Sequence, residues 1–360
     1  MGVLKSLRGL TDRALGQTGA WVDRLAVDLA LEVGRARTTA PERDVVSPAT
    51  VALLSEVAEA HADPSLYAMG GFFAAPPPPE VYETRLRGLD DGGAVYELAT
   101  PSAFVPFAAA ERDSFLAFEE NRVATARALL HPTPRAAVLC VHGYLGGHLG
   151  FEEAAFSASK LYAWGLDVVL VNLPFHGART PARKTGMWPG RNPWWTVSGF
   201  GQAVWDLARW RHHLRARGAS RVGLFGMSLG GYTAALAVTA HSGWDFVVPM
   251  IPLASLAEVY AAHREGRPDA PPAWFAEHLD AAYRVVSPFA RAPQIAPSAA
   301  LVIAAEGDQI TPVHHARRIS AHLGATYDTF PGGHLFQARR DRAFASLEQF
   351  LERRGLIAPR

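Results

Sequence analysis

Five apolar runs, at residues 136–141, 167–172, 221–226, 245–251 and 299–305, alternate with helical segments along this chain. Runs this short and this continuously apolar suit strands buried on both faces, and their alternation with helices specifies a parallel sheet covered on both sides. The expected fold class is therefore α/β, with a mostly parallel central sheet. Upstream, residues 81–89 and 94–98 flank Asp90-Asp91-Gly92-Gly93, a hairpin signal, and a further strand is expected over residues 121–130.

The third run leads directly into Gly226-Met227-Ser228-Leu229-Gly230. A G-x-S-x-G between a strand and a helix reads as a nucleophile elbow, in which the glycines let the backbone approach closely on either side of a serine held on a sharp turn. The segment from Gly231 to Ala240 is rich in alanine and leucine and lacks proline, so it continues as the helix behind that turn. On such a sheet the partners follow in the order serine, acid, histidine. Asp308 stands in Glu306-Gly307-Asp308 after the run at 299–305, and His334 stands in Pro331-Gly332-Gly333-His334 after the short strand-like stretch 325–330. Asp308 is preferred over Glu306, which lies nearer the strand end. Acyl transfer also needs donors aimed at the oxyanion. His142-Gly143-Tyr144 leaves the first apolar run so that the Tyr144 N–H can face the site, with the Leu229 N–H opposite. His142 itself reads as a structural residue that holds this loop by a hydrogen bond.

With these motifs assembled, the chain resembles the α/β-hydrolase superfamily over residues 80 to 355, in an orphan branch of serine esterase- and lipase-like members. Asn172-Leu-Pro-Phe-His-Gly-Ala-Arg-Thr180 resembles that superfamily's turn Asp-x-Pro-Gly-His-Gly-x-Ser, with asparagine for the aspartate and phenylalanine for the first glycine. The resemblance implies a carboxylic ester hydrolase in which His334 deprotonates Ser228, Asp308 orients the imidazole, and an acyl-enzyme is released by water. It implies no metal and no organic cofactor. The same triad serves acyltransferases, thioesterases and peptidases, and the same fold can serve as a non-catalytic binding protein, so these stand as the alternatives.

Two connections exceed what strand–helix units need: residues 174–199, with Trp188, Trp194 and Trp195, and residues 253–297, with Trp274 in a partly helical pattern. Long inserts on a rigid scaffold serve as lids and binding loops, which makes these four tryptophans the candidates for lining a substrate pocket. Arg179, Arg183, Lys184 and Arg191 in the first insert read as solvated charges. His148, His212, His213, His314 and His315 form no metal-ligand spacing.

Residues 1–75 are expected to form a helical extension ahead of a catalytic domain at 80–360, the boundary marked by Pro76 to Pro79. One apolar face runs through Leu4, Leu7, Leu15, Trp21, Leu25, Leu29 and Val33, and a second through Val51, Leu54, Val57 and Ala58. These faces are expected to pack on the catalytic domain or on a second subunit, so a homo-oligomer or a peripheral contact is carried by these helices. Among 360 residues, 49% are hydrophobic and 19% charged, with a net charge of +1. That balance gives no field to recruit nucleic acid. The amino terminus lacks the pattern of a signal peptide, and no stretch approaches the ~18 apolar residues of a membrane span. The expectation is a cytoplasmic protein acting on a small molecule. The one cysteine, Cys140, lies in an apolar run and reads as a small buried hydrophobe, and the abundance of alanine, arginine and proline fits a GC-rich bacterial genome.

Overall fold

Nine strands form one sheet in the computed structural model, which describes residues 11–25, 46–181, 188–190, 192–262, 264–265 and 270–359. They are β1 (Tyr82–Gly88), β2 (Ala94–Pro101), β3 (Val123–Leu130), β4 (Ala137–Val141), β5 (Asp167–Val171), β6 (Val222–Met227), β7 (Val247–Met250), β8 (Leu301–Ala305) and β9 (Thr326–Phe330). The spatial order is β1-β2-β3-β5-β4-β6-β7-β8-β9. The first three strands are antiparallel, with β3 also antiparallel to β5, and the six from β5 to β9 are parallel. The expected hairpin is present, closed by the turn at Gly92 (φ +85°). All seven residues of β1 are exposed, as befits an edge strand.

Alternation along the central strands divides the core in two. Leu139, Val169, Leu224 and Val302 face one side, with α6 (Pro193–Ala216), α7 (Leu229–Ala240) and α10 (Val313–Leu323). Val138, Leu170, Phe225 and Ile303 face the other, with α5 (Ala158–Ala163) and α11 (Arg340–Arg353). Cys140 is buried on this second side. The chain winds from β4 to β5 in one direction and to β6 in the other, so the sheet order reverses between β4 and β6. Crevices form beyond the carboxyl ends of strands at such a reversal. The loop after β4 and the Ser228 turn after β6 both open there.

The first long connection is shorter than expected, because residues 193–199 belong to α6. The Asn192 side chain caps this helix by accepting the Trp195 N–H at 3.2 Å, and Pro193 takes the first helical position, where a missing N–H costs nothing. The second connection carries α8 (Leu256–Ala262) and α9 (Ala273–Tyr283). Ahead of the sheet, α2 (Pro48–Ala60) packs on α9 and α6, and its Leu54 and Val57 join the main core; α3 (Ala109–Leu116) packs on α6, and α4 (Leu149–Ala155) on α5.

The first helix, α1, is described over residues 11–25. Here the apolar stripe expected from the sequence is corrected. Trp21 and Leu25 are 64% and 52% exposed, while Gly19, Ala20 and Asp23 are buried. Small residues win the inward face because the helix lies directly on backbone, too close for larger side chains. Leu4, Leu7, Leu29 and Val33 lie outside the described residues.

Candidate active site

Ser228 joins β6 to α7 with φ 55° and ψ −117°, a conformation that side chains rarely adopt and that its surroundings must hold. Both glycines of the elbow are fixed by close approach. A Cβ on Gly226 would stand 2.1 Å from Gly230 O, and one on Gly230 would stand 1.8 Å from Val141 O. The Ser228 N–H donates to Met250 O at 3.0 Å, tying the turn to the end of β7. Ser228 is half-buried at the head of α7, whose first-turn N–H groups have no acceptor within the helix.

Asp308 and His334 lie in the loops after β8 and β9, and both are buried. The His334 Nδ1–H donates to Asp308 Oδ2 at 2.8 Å. The other Asp308 oxygen accepts the N–H groups of Ile310 at 2.9 Å and Thr311 at 2.7 Å, which holds the carboxylate in one orientation. The Thr311 hydroxyl sits 3.0 Å from His334 Nδ1 and 3.0 Å from Ile251 O, the carbonyl that follows Met250. A short run of contacts thus connects the serine turn to the histidine loop. With the Nδ1 proton committed to Asp308, Nε2 carries the lone pair that a general base needs. No hydrogen bond joins Ser228 Oγ to His334 among the described residues, and in unliganded hydrolases that bond often forms only with substrate. Glu306 is exposed and accepts the Thr329 hydroxyl instead.

Burial alone pushes the His334 imidazole down. The charge and hydrogen bond of Asp308, helped by the charge of Asp23, outweigh it and leave the pKa above the ordinary value of 6.5. Raising an imidazole pKa extends its protonated, non-basic form upward in pH. The acid limb of kcat/KM is therefore expected to lie above about pH 6.5, and activity to fall as pH drops through it. A profile flat from pH 8 down to 5.5 on a non-ionising ester would contradict this.

The loop after β4 lies against the serine: a Cβ on Gly143 would be 3.4 Å from Ser228 Cβ and 3.9 Å from its Oγ. His142 holds the loop. Its Nε2 accepts the Leu173 N–H at 3.1 Å, which puts its proton on Nδ1, where it donates to Gly143 O at 2.8 Å. Burial and the neighbouring His176 push its pKa down to about 3, so the ring stays neutral. Glu152, buried beneath the loop, accepts the Gly147 N–H at 2.8 Å. Tyr144 is exposed at the loop tip.

The four tryptophans do not converge. Trp188 is buried, its indole N–H donating to Thr196 O at 3.0 Å and its ring stacked edge-on against Phe200 at 4.6 Å. Trp194 lies 5.8 Å from the His61 ring, Trp195 packs edge-on against Phe118 at 4.9 Å, and Trp274 is 45% exposed on α9. Arg179 corrects the reading of solvated charges, because its side chain is fully buried. It binds Asp206 Oδ2 at 2.9 Å, Asn121 O at 2.8 Å and Asn172 O at 3.1 Å, so it holds the turn after β5 rather than facing solvent. Arg183, Lys184 and Arg191 lie outside the described residues. Glu258, His314 and His315 bring ligand-type atoms within 4.8 Å of one another. Glu258 is paired with Arg318 and His315 Nδ1 accepts the Ala254 N–H, so these groups are engaged with the chain itself.

A serine on a strained strand-to-helix turn, in a sheet of this order, is the arrangement of the α/β-hydrolase fold. Comparison with known proteins agrees. The model of the prolyl oligopeptidase family matches residues 202–342. The solved structures of acetyl xylan esterases from Paenibacillus sp. R4 and Thermoanaerobacterium sp. share this fold, with TM-scores of 0.55 and 0.54 at 15% and 13% identity. They match 84% and 87% of this chain and 94% and 99% of theirs. The "Uncharacterized protein Rv2627c" of Mycobacterium tuberculosis is 32% identical over 300 residues, covering 81% of this chain and 72% of its own. The chain has the α/β-hydrolase fold and belongs to the family of that mycobacterial protein.

Proposed function

We propose that this protein hydrolyses carboxylic esters through a triad of Ser228, His334 and Asp308. The observation that carries the reading is the pairing of a strained serine at the head of α7 with a buried His334–Asp308 couple whose tautomer leaves Nε2 basic. In the proposed reaction His334 Nε2 takes the Ser228 proton as Oγ attacks the acyl carbon. The Leu229 and Tyr144 N–H groups receive the oxyanion, and Asp308 balances the imidazolium. His334 then protonates the leaving alcohol, and water releases the acyl group by the reverse route. Trp194, Trp195 and Trp274 border the connections that would shape the acyl site in a catalytic domain spanning residues 80–360, with residues 1–75 as an extension.

The match to the prolyl oligopeptidase family supports a second reading, in which the same triad cleaves a peptide bond. One experiment serves both. A fluorophosphonate probe is expected to form a single adduct on Ser228, located by peptide mass spectrometry. An adduct on another residue, or none, refutes the triad. Turnover of short p-nitrophenyl esters without turnover of aminoacyl and prolyl anilides favours the ester, and the opposite pattern favours the peptide.

A further inference from the structure

Asp23, on α1, is completely buried, yet it belongs to neither strand nor loop of the site. Its carboxylate accepts three backbone N–H groups. Oδ2 takes those of His334 at 2.6 Å and Gln309 at 3.1 Å, and Oδ1 takes that of Leu335 at 2.9 Å. The donors are His334 itself and the residues directly after Asp308 and His334. Charge-assisted bonds of this kind offset the cost of burying an ionised carboxylate, and losing one partner of such a set is expensive.

The helix is seated to deliver this group. Asp12, Gly16, Gly19, Ala20 and Asp23 recur at helical spacing and share one face. A Cβ on Gly19 would stand 2.2 Å from Gly333 N, and one on Gly307 would stand 2.2 Å from Gly16 O. Backbone therefore meets backbone, with no room for a side chain on Gly19, Gly307 or Gly333. At the start of the helix Asp12 pairs with Arg342 of α11 at 2.8 Å.

We propose that Asp23 is a positioning residue for the triad: from the amino-terminal helix, its carboxylate clamps the Asp308 and His334 loops together and sets a second negative charge beside the imidazole. The proposal rests on the triad reading above. The charged groups facing His334 are Asp308 from its own side of the sheet and Asp23 from α1, with the neutral Thr311 hydroxyl between loops. During attack His334 becomes an imidazolium, and a carboxylate fixed before the reaction stabilises that charge without reorganisation. The same clamp keeps Nε2 in register with Ser228, where a displacement of ~1 Å can cost about 100-fold in rate.

The test uses the full chain. Asp23→Asn keeps the size of the side chain, removes its charge and turns an N–H₂ toward backbone donors. Its kcat on a short p-nitrophenyl ester is expected to fall about 10- to 100-fold with little change in KM. The acid limb of the profile should move to lower pH, because a charge that favoured the imidazolium is gone. In Ser228→Ala protein, the ¹⁵N-imidazole titration of His334 should move the same way when Asp23→Asn is added, a readout that needs no turnover. A fall in kcat with an unmoved titration, or no change in either, overturns the proposal. Hydrogen exchange of the wild-type protein provides a check that needs no folded variant. The Gln309, His334 and Leu335 amides should exchange slowly, and exchange at the rate of open loop amides also overturns the clamp. Failure of the triad itself is distinguishable, because Ser228→Ala would then keep full activity whatever Asp23 does.

Discussion

Ser228→Ala is expected to lower kcat/KM on short p-nitrophenyl esters by about 10⁴- to 10⁶-fold while leaving the fold intact, the scale seen when a triad nucleophile is deleted. On the proposed reading the elbow presents one oxygen. Its cost is a residue at φ 55° and two glycines wedged against Gly230 O and Val141 O. Removing Oγ leaves that backbone unchanged, so the loss falls on chemistry and not on stability. His334→Ala should cost nearly as much, and the double variant little more, because nucleophile and base act as one unit. The residual rate in all three would come from the oxyanion donors. The measurement is steady-state turnover with the active enzyme counted by fluorophosphonate titration. A Ser228→Ala protein within tenfold of wild type would remove the serine from the mechanism.

Arg179→Met should cost about 3–5 kcal/mol of unfolding free energy, read from the urea midpoint. Arg179 is fully buried and so, nearly, is Asp206. Burial pushes the Asp206 carboxyl up and the Arg179 guanidinium down, and each is held charged mainly by the other. Methionine fills much of the same volume but leaves Asp206 with only Ser102 Oγ, at 2.6 Å, and the more distant Arg209 charge; it also takes the Arg179 donor from Asn172 O and leaves Asn121 O with the Gln202 amide alone. Converting Asp206 to leucine in the same protein should recover part of the loss, since an apolar pair of similar size often replaces a buried ion pair without penalty. No change in midpoint for Arg179→Met would mean that the buried pair contributes nothing. The turn after β5 also anchors His142 through the Leu173 N–H, so some activity should be lost with the stability.

The parts of this molecule that could be read from sequence are those whose causes are local. Continuous apolar runs located β4 through β8 to within two residues, because strands buried on both faces leave no polar alternation. The elbow, Asp308 and His334 each stand within a few residues of a strand end, where turn chemistry marks them. What could not be read depends on partners far along the chain. Arg179 pairs across 27 and 58 positions, and nothing beside it distinguishes a buried guanidinium from a solvated one. Asp23 binds residues 286, 311 and 312 positions away. Apolar periodicity also pointed to the wrong face of α1, since Trp21 and Leu25 are more conspicuous than the small residues that dock. The signal that was there is the stripe of Gly16, Gly19 and Ala20 ending on an acid.

The seat of α1 also orders events during synthesis. This helix is made before its binding surface: Gln309, His334 and Leu335 follow Asp23 by 286, 311 and 312 residues. The Ser228 turn packs on Val141 and bonds to Met250 O, both of which precede the histidine loop in the chain. On the proposed reading, a nascent chain thus carries its serine unarmed until α1 meets the loop that holds His334.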